Sequence, residues 1–185
     1  MTADITNSSL IACICEGGAE TTIIDILLDN DLLIFSREQL IEESAIPRCS
    51  VKEFERRYLR REYEQKLLVL RIIDSRTEEF NLSRAYRHQV DVVNVITAPE
   101  IEILIITKLG KYADYKKSGY KKPSEYCKSV LKYKNVKSPN FVKDFFANPQ
   151  DLVFCINEYH RVHKQLNNEI SLYDLLRSKD VISSN

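Results

Sequence analysis

The stretch Ser9-Leu10-Ile11-Ala12-Cys13-Ile14-Cys15-Glu16-Gly17-Gly18-Ala19-Glu20 constrains the fold more than any other part of the chain. It opens with an unbroken apolar run of strand length. Both faces, Leu10/Ala12/Ile14 and Ile11/Cys13/Cys15, are apolar, which suits a strand covered on both sides in a parallel sheet. The run stops at a carboxylate, two glycines and a second carboxylate. Ile23, Ile24, Leu27 and Leu28 then recur at helical spacing. Glu16 therefore belongs at the carboxyl end of a central strand, where open α/β sheets keep their sites. Glu20 belongs in the first turn of the next helix, where the helix dipole also favours a negative charge.

A second strand is expected at Leu32–Phe35, and a helix start at Ser36, with Gln39 completing a capping box. Pro47 ends that segment. Val51–Glu64 is charged with a thin apolar seam at Val51, Phe54, Tyr58 and Leu59, the pattern of an exposed amphipathic helix. Lys66–Asp74 is the second strong strand and, like the first, ends on a carboxylate. A valine-rich segment, Gln89–Ile96, is a further strand. Thr97-Ala98-Pro99-Glu100 then has the form of a capping box with proline in the first turn. The following Ile101–Leu109 is apolar nearly all round, which predicts a buried helix, with a strand as the competing reading because β-branched residues dominate. On a helix Glu100 and Glu102 lie about 200° apart, so only one can face a site. The capping box claims Glu100, which leaves Glu102 as the candidate, with a helix-dipole role as the alternative.

The charge is unevenly placed. Residues 1–50 carry nine acids and two arginines, whereas residues 108–137 carry ten lysines and two acids. An acidic front half and a basic stripe suit a metal site beside a polyanion track. In that stripe Lys111, Lys116, Lys117, Lys121 and Lys122 interleave with Tyr112, Tyr115 and Tyr120, as a site for single-stranded nucleic acid would, with phosphates on lysine and bases stacked on tyrosine. The plain alternative is a solvated lysine surface over packed tyrosines. Two short helices are expected around Phe141–Phe146 and Leu152–Tyr159. The folded part then ends at Leu172–Leu176, before a frayed tail over Asp180–Asn185. Cys155, His160 and His163 lack the fourth ligand of a zinc site. No secretory signal or bilayer-spanning run of about 18 apolar residues is present. The scattered cysteines 13, 15, 49, 127 and 155 point to buried thiols in a reducing, cytoplasmic setting without disulfides.

The Cys15-Glu16-Gly17-Gly18-Ala19-Glu20 motif resembles the opening motif of the Toprim family, the metal-dependent domain of topoisomerases, primases and certain nucleases: an apolar strand, Glu-Gly, and often a second Glu, leading into a helix. The family's second motif is a strand ending in Asp-x-Asp. Here Asp74 keeps the first acid and Arg76 stands at the second. Pro99-Glu100-Ile101-Glu102 before an apolar helix is similar to a segment of the small Toprim-like proteins of phage-defence loci, of the overcoming-lysogenization-defect nuclease type. The resemblance implies a Toprim-like, mostly parallel α/β core over residues 1–110, a helical extension over 111–179 packed on it, and a tail over 180–185. It also implies a Mg²⁺- or Mn²⁺-dependent phosphodiester nuclease acting in antiviral defence on RNA or DNA, with an ATPase or another protein of a defence complex as its partner and no membrane partner. Glu16, Asp74, Glu20 and Glu102 would hold the metal. Glu16, Glu20, Asp74 and Arg76 would be catalytic, Arg76 by gripping the scissile phosphate, because guanidinium cannot ligate a cation. The rival is a non-catalytic Toprim-like module that binds a protein or a nucleic acid, which Arg76 favours. A nucleotide-binding regulator using the Gly17-Gly18 turn is a third reading.

Overall fold

The computed structural model describes Ile5, residues 10–163, Leu166 and residues 169–177. The proposed tail at 180–185 lies outside the described residues. The fold is α/β. Strand β1 (Ile11–Cys15) is buried at every position and runs parallel to β2 (Ile46–Pro47) on one side and β3 (Leu67–Ile73) on the other. Strand β4 (Val90–Ile96) extends the sheet beyond β3, giving the all-parallel order β2-β1-β3-β4. From β1 the chain turns one way to β2, and from there it crosses to the other side to build β3 and β4. The direction therefore reverses between β1 and β3, and the crevice at their carboxyl ends is where such sheets bind ligands. Cys15 pairs with Ile72, so the two strands end level, with Glu16 and Asp74 just beyond them.

Alternation along the strands divides the core between two faces. Ile11, Cys13 and Cys15 with Leu68, Leu70 and Ile72 face helix α1 (Gly18–Asp29) and the helices of the second half of the chain. Ala12, Ile14, Leu67 and Val69 face α2 (Val51–Tyr58) through Phe54 and Tyr58. Each of Ile23, Ile24 and Leu27 on α1 is buried and contributes on the order of 2 kcal/mol.

The remaining helices are α3 (Ile103–Lys108), α4 (Tyr112–Lys117), α5 (Pro123–Ser129), α6 (Pro139–Phe145), α7 (Pro149–Val162) and α8 (Leu172–Leu175). Proline opens α5, α6 and α7 at the position where its missing N–H costs nothing. Their buried residues, among them Tyr126, Val142, Leu152 and Ile156, belong to the same core cluster as Ile11 and Leu70, so the helical half packs directly on the α1 face of the sheet.

Three local expectations differ from what forms. Leu32–Phe35 buries Leu33 and Phe35 but does not join the main sheet. Its backbone pairs with the chain end instead, Ile34 N–H to the Leu175 carbonyl and Arg177 N–H to the Leu32 carbonyl. The place beside β1 goes to Ile46–Pro47, an edge strand where a proline is tolerated. Helix α2 stops at Tyr58, eight residues long, with Ser50 capping the Glu53 N–H. The Thr97–Glu100 capping box does not form: α3 begins only at Ile103, after single turns such as Ile103 N–H to the Glu100 carbonyl. The Ser36–Gln39 box does form, on a single 3₁₀ turn over Arg37–Gln39. Among the described residues no helix is long and apolar enough to cross a membrane.

Candidate functional site

Five carboxylates gather at the reversal point. Glu16 follows β1 directly, and its Oε2 accepts the Asp74 N–H at 2.9 Å, which ties the ends of β1 and β3 together. The pKa of Asp74 is raised by burial first and then by the charge of Glu16 and a hydrogen bond with its carboxyl group. Glu20 comes from the first turn of α1. Its Oε2 lies where a Cβ on Gly17 would come within 3.1 Å, so the glycine leaves room for that carboxylate. Burial raises the Glu20 pKa, and the charges of Glu16 and Asp74 push it further.

Glu100 and Glu102 enter from the turn ahead of α3. The absence of a regular helix there lets both acids face Lys137, which corrects the expectation that only one could. Glu100 Oε1 accepts from Lys137 Nζ at 3.0 Å and Oε2 accepts the Ser124 N–H at 2.9 Å. Burial works against its charge, yet these bonds lower its pKa. Glu102 is only 2% exposed, and its Oε2 has no hydrogen-bond partner among the described residues. Lys137 Nζ stands 3.9 Å from that oxygen, too far for a hydrogen bond. Burial pushes the Glu102 pKa up to about 7. Lys137 keeps its charge firmly despite partial burial, through Glu100, Glu102 and Glu20. Its loop reaches the cluster because Gly18 has no side chain: a Cβ there would meet Pro139 at 3.0 Å.

A second cationic group comes from the loop directly after β2. Arg48 bridges Glu16 Oε1 at 2.8 Å and Glu78 Oε2 at 2.6 Å. Glu78 is in turn held by Arg71, a guanidinium only 3% exposed, which also bonds the Glu78 carbonyl and Asn94 Oδ1 and lies over the Phe80 ring. Sequence reasoning passed over Arg48, Arg71 and Lys137. Lys137 lay unnoticed at the end of the lysine-rich stripe, and an arginine inside the apolar run of β3 was the one available signal for a buried ion pair.

Arg76 is not among the acids of the cluster. Its Nε donates to Glu169 Oε1 at 2.6 Å and its Nη2 to Oε2 at 3.3 Å. Lys111, Lys116, Lys117, Lys121 and Lys122 are all exposed, and Lys111 pairs with Asp114 at 3.2 Å. The tyrosines among them divide. Tyr115 is buried, with its hydroxyl donating to the Lys121 carbonyl. Tyr112 is half-buried and Tyr120 lies at the surface. Cys155 is buried, while His160 stacks on Tyr173 and His163 on Tyr159. The described cysteines are all free thiols.

Among the described residues no three His, Cys, Asp or Glu side chains stand close enough together to form a ready-made metal site. The donor chemistry of the acid cluster nevertheless suits a hard divalent cation: every donor is a carboxylate oxygen, Asp74 is pressed against Glu16, and Glu102 Oε2 is buried without a donor. Fold and site together define an α/β chain with an acidic crevice at the switch point of a parallel sheet, flanked by Arg48 and Lys137. No protein-family model, curated protein or solved structure matches the chain.

Proposed function

We propose that the chain is a Toprim-like, metal-dependent phosphodiester nuclease. The observation that supports this most is the convergence of Glu16, Glu20 and Asp74 at the switch point, close enough for the charges of Glu16 and Asp74 to raise Glu20. Mutually repelling carboxylates are held together at a cost, and a cation among them offsets it. Glu16 and Asp74 would hold Mg²⁺ or Mn²⁺, with Glu102 as a further ligand and Glu20 left beside the cation as a base. Bound there, the cation would neutralise charge on the attacked phosphate.

The chain's own groups carry the rest of the reaction. Glu20, with its raised pKa, takes a proton from the water whose oxygen attacks phosphorus as the P–O bond to the leaving nucleotide breaks. The Lys137 ammonium faces the developing negative charge. Lys116 and Lys117 in the last turn of α4, with Lys121 and Lys122 just beyond it, are exposed and hold the strand by phosphate contacts. A cytoplasmic role as a defence effector, beside an ATPase or another protein, rests on the family resemblance.

The test is cleavage of end-labelled single-stranded RNA and DNA with Mn²⁺ or Mg²⁺. Activity that is lost in Glu16→Gln and Asp74→Asn supports the proposal. A folded wild type that cleaves neither substrate overturns it. The second reading, a non-catalytic Toprim-like module, is favoured by Arg48 and Lys137, which already partner Glu16 and Glu100 as a bound cation would.

A further inference from the structure

A cleft of about 340 Å³ borders the segment that leads into Glu100, through Ala98 and Pro99. Its walls come from four places: Arg76 after β3, Ala98 and Pro99 after β4, the α4 region with Tyr112, Lys116 and Lys121, and the end of α7 with Tyr159 and His163. Three permanent cations and several phenol rings thus meet in one concavity. The volume is at the low end of small-molecule sites, about 300–1,000 Å³. It suits a single small ligand rather than a length of polymer.

An adjoining recess of about 50 Å³ shares Arg76, Ala98, Ile103, Tyr159 and His163 with the cleft; the rest of its wall is mostly apolar, with Thr97, His160, Ser171 and the Glu169 carboxylate that pairs with Arg76. Thr97 lines it, 6% exposed, and the Thr97 Oγ1 has no hydrogen-bond partner among the described residues. A buried hydroxyl left unpaired costs about 1–3 kcal/mol. A ligand with a polar edge would remove that cost. Arg76 uses Nε and Nη2 on Glu169, and neither bond involves Nη1.

We infer that this cleft binds one nucleoside monophosphate unit, with its phosphate toward Arg76, Lys116 and Lys121, its base against the tyrosine wall, and a polar edge of the base toward Thr97. An anionic head and a flat aromatic body with hydrogen-bonding edges match the cations, the rings and the orphaned hydroxyl together; a bare phosphate matches only the first. The unit is either a free nucleotide or the phosphorylated end of a strand. The inference extends the proposed activity by naming the chemistry that this surface takes, and it gives Arg76 a role outside the acid cluster.

The test is calorimetric titration in EDTA, so that it is independent of any metal. The probes are AMP, UMP, inorganic phosphate, and short single-stranded oligonucleotides with 5′-phosphate, 3′-phosphate or no terminal phosphate. Measurable binding of AMP or UMP is expected, weakened about tenfold in the Lys116→Ala/Lys121→Ala double variant and about threefold in Thr97→Val. Both lysines are exposed, and valine keeps the shape of threonine, so these variants should fold. Tighter binding of one phosphorylated oligonucleotide than of AMP and UMP identifies a strand end. The reverse order identifies a free nucleotide. No binding at millimolar nucleotide, unchanged affinity in either variant, or inorganic phosphate competing as well as AMP overturns the inference. Nucleotide binding without metal-dependent cleavage would defeat the nuclease proposal alone, and cleavage without nucleotide binding would defeat this inference alone.

Discussion

Glu102→Gln should make the protein resist alkaline destabilisation. In the folded chain the Glu102 carboxyl is 2% exposed, and burial lifts its pKa from an ordinary 4.5 to about 7. A carboxyl raised in the folded state holds its proton to higher pH there than in the unfolded chain. Its contribution to stability is therefore full below about pH 4.5 and is lost as the pH rises through about 7. The gap of about 2.5 corresponds to roughly 3 kcal/mol, taking 1.36 kcal/mol for each tenfold change in proton affinity. Lys137, at 3.9 Å, already offsets part of the burial cost. Glutamine does not titrate, so the variant lacks this loss. Glu20 and Asp74 are raised too, but they titrate in both proteins and cancel to first order. The assay is urea unfolding of wild type and Glu102→Gln at pH 5 and pH 8. The stability of the variant relative to wild type should rise by up to roughly 3 kcal/mol between the two pH values, whatever the amide itself costs. A difference that stays constant, or moves the other way, would refute a buried carboxyl poised to ionise near neutrality.

Arg71→Met should destabilise the fold by about 1–3 kcal/mol, because it leaves the Glu78 carbonyl and Asn94 Oδ1 without that donor while the Glu78 carboxylate keeps Arg48; the urea midpoint measures it. Neutralising Lys116, Lys117, Lys121 and Lys122 together should flatten the dependence of log affinity on log salt for single-stranded nucleic acid, by up to about 3 in slope. An unchanged slope would mark those lysines as ordinary solvated surface.

The parallel core was legible because β1 and β3 are apolar on both faces, a pattern that few other structures accept. Their terminal acids, Glu16 and Asp74, were legible for the same reason, since strand ends locate themselves. Leu32–Phe35 misled because burial alone does not distinguish a strand from a loop packed under a chain end; the competing pairing with Leu175 and Arg177 lies more than 140 residues away. The turn before α3 misled in another way. A local capping rule assigned Glu100 to Thr97, while a distant ammonium and the Ser124 N–H offered it stronger partners. Lys137 and Arg48 come from loops with no periodic signal, so their convergence on the acids is a tertiary fact. Arg76 was visible as a departure from the Toprim motif, but its direction, toward Glu169 and the cleft, was not.

The proposed chemistry needs a cation among Glu16, Glu20 and Asp74, and titrating Mn²⁺ into metal-stripped protein at pH 8 while following the melting temperature detects it. A ligand that binds only the folded state stabilises it by mass action, by about 2.7 kcal/mol at a hundredfold excess over Kd. The expected result is a saturable rise in Tm for wild type that is absent from Asp74→Asn and Glu16→Gln. No rise at millimolar Mn²⁺ in wild type, or an equal rise in all three proteins, would contradict it.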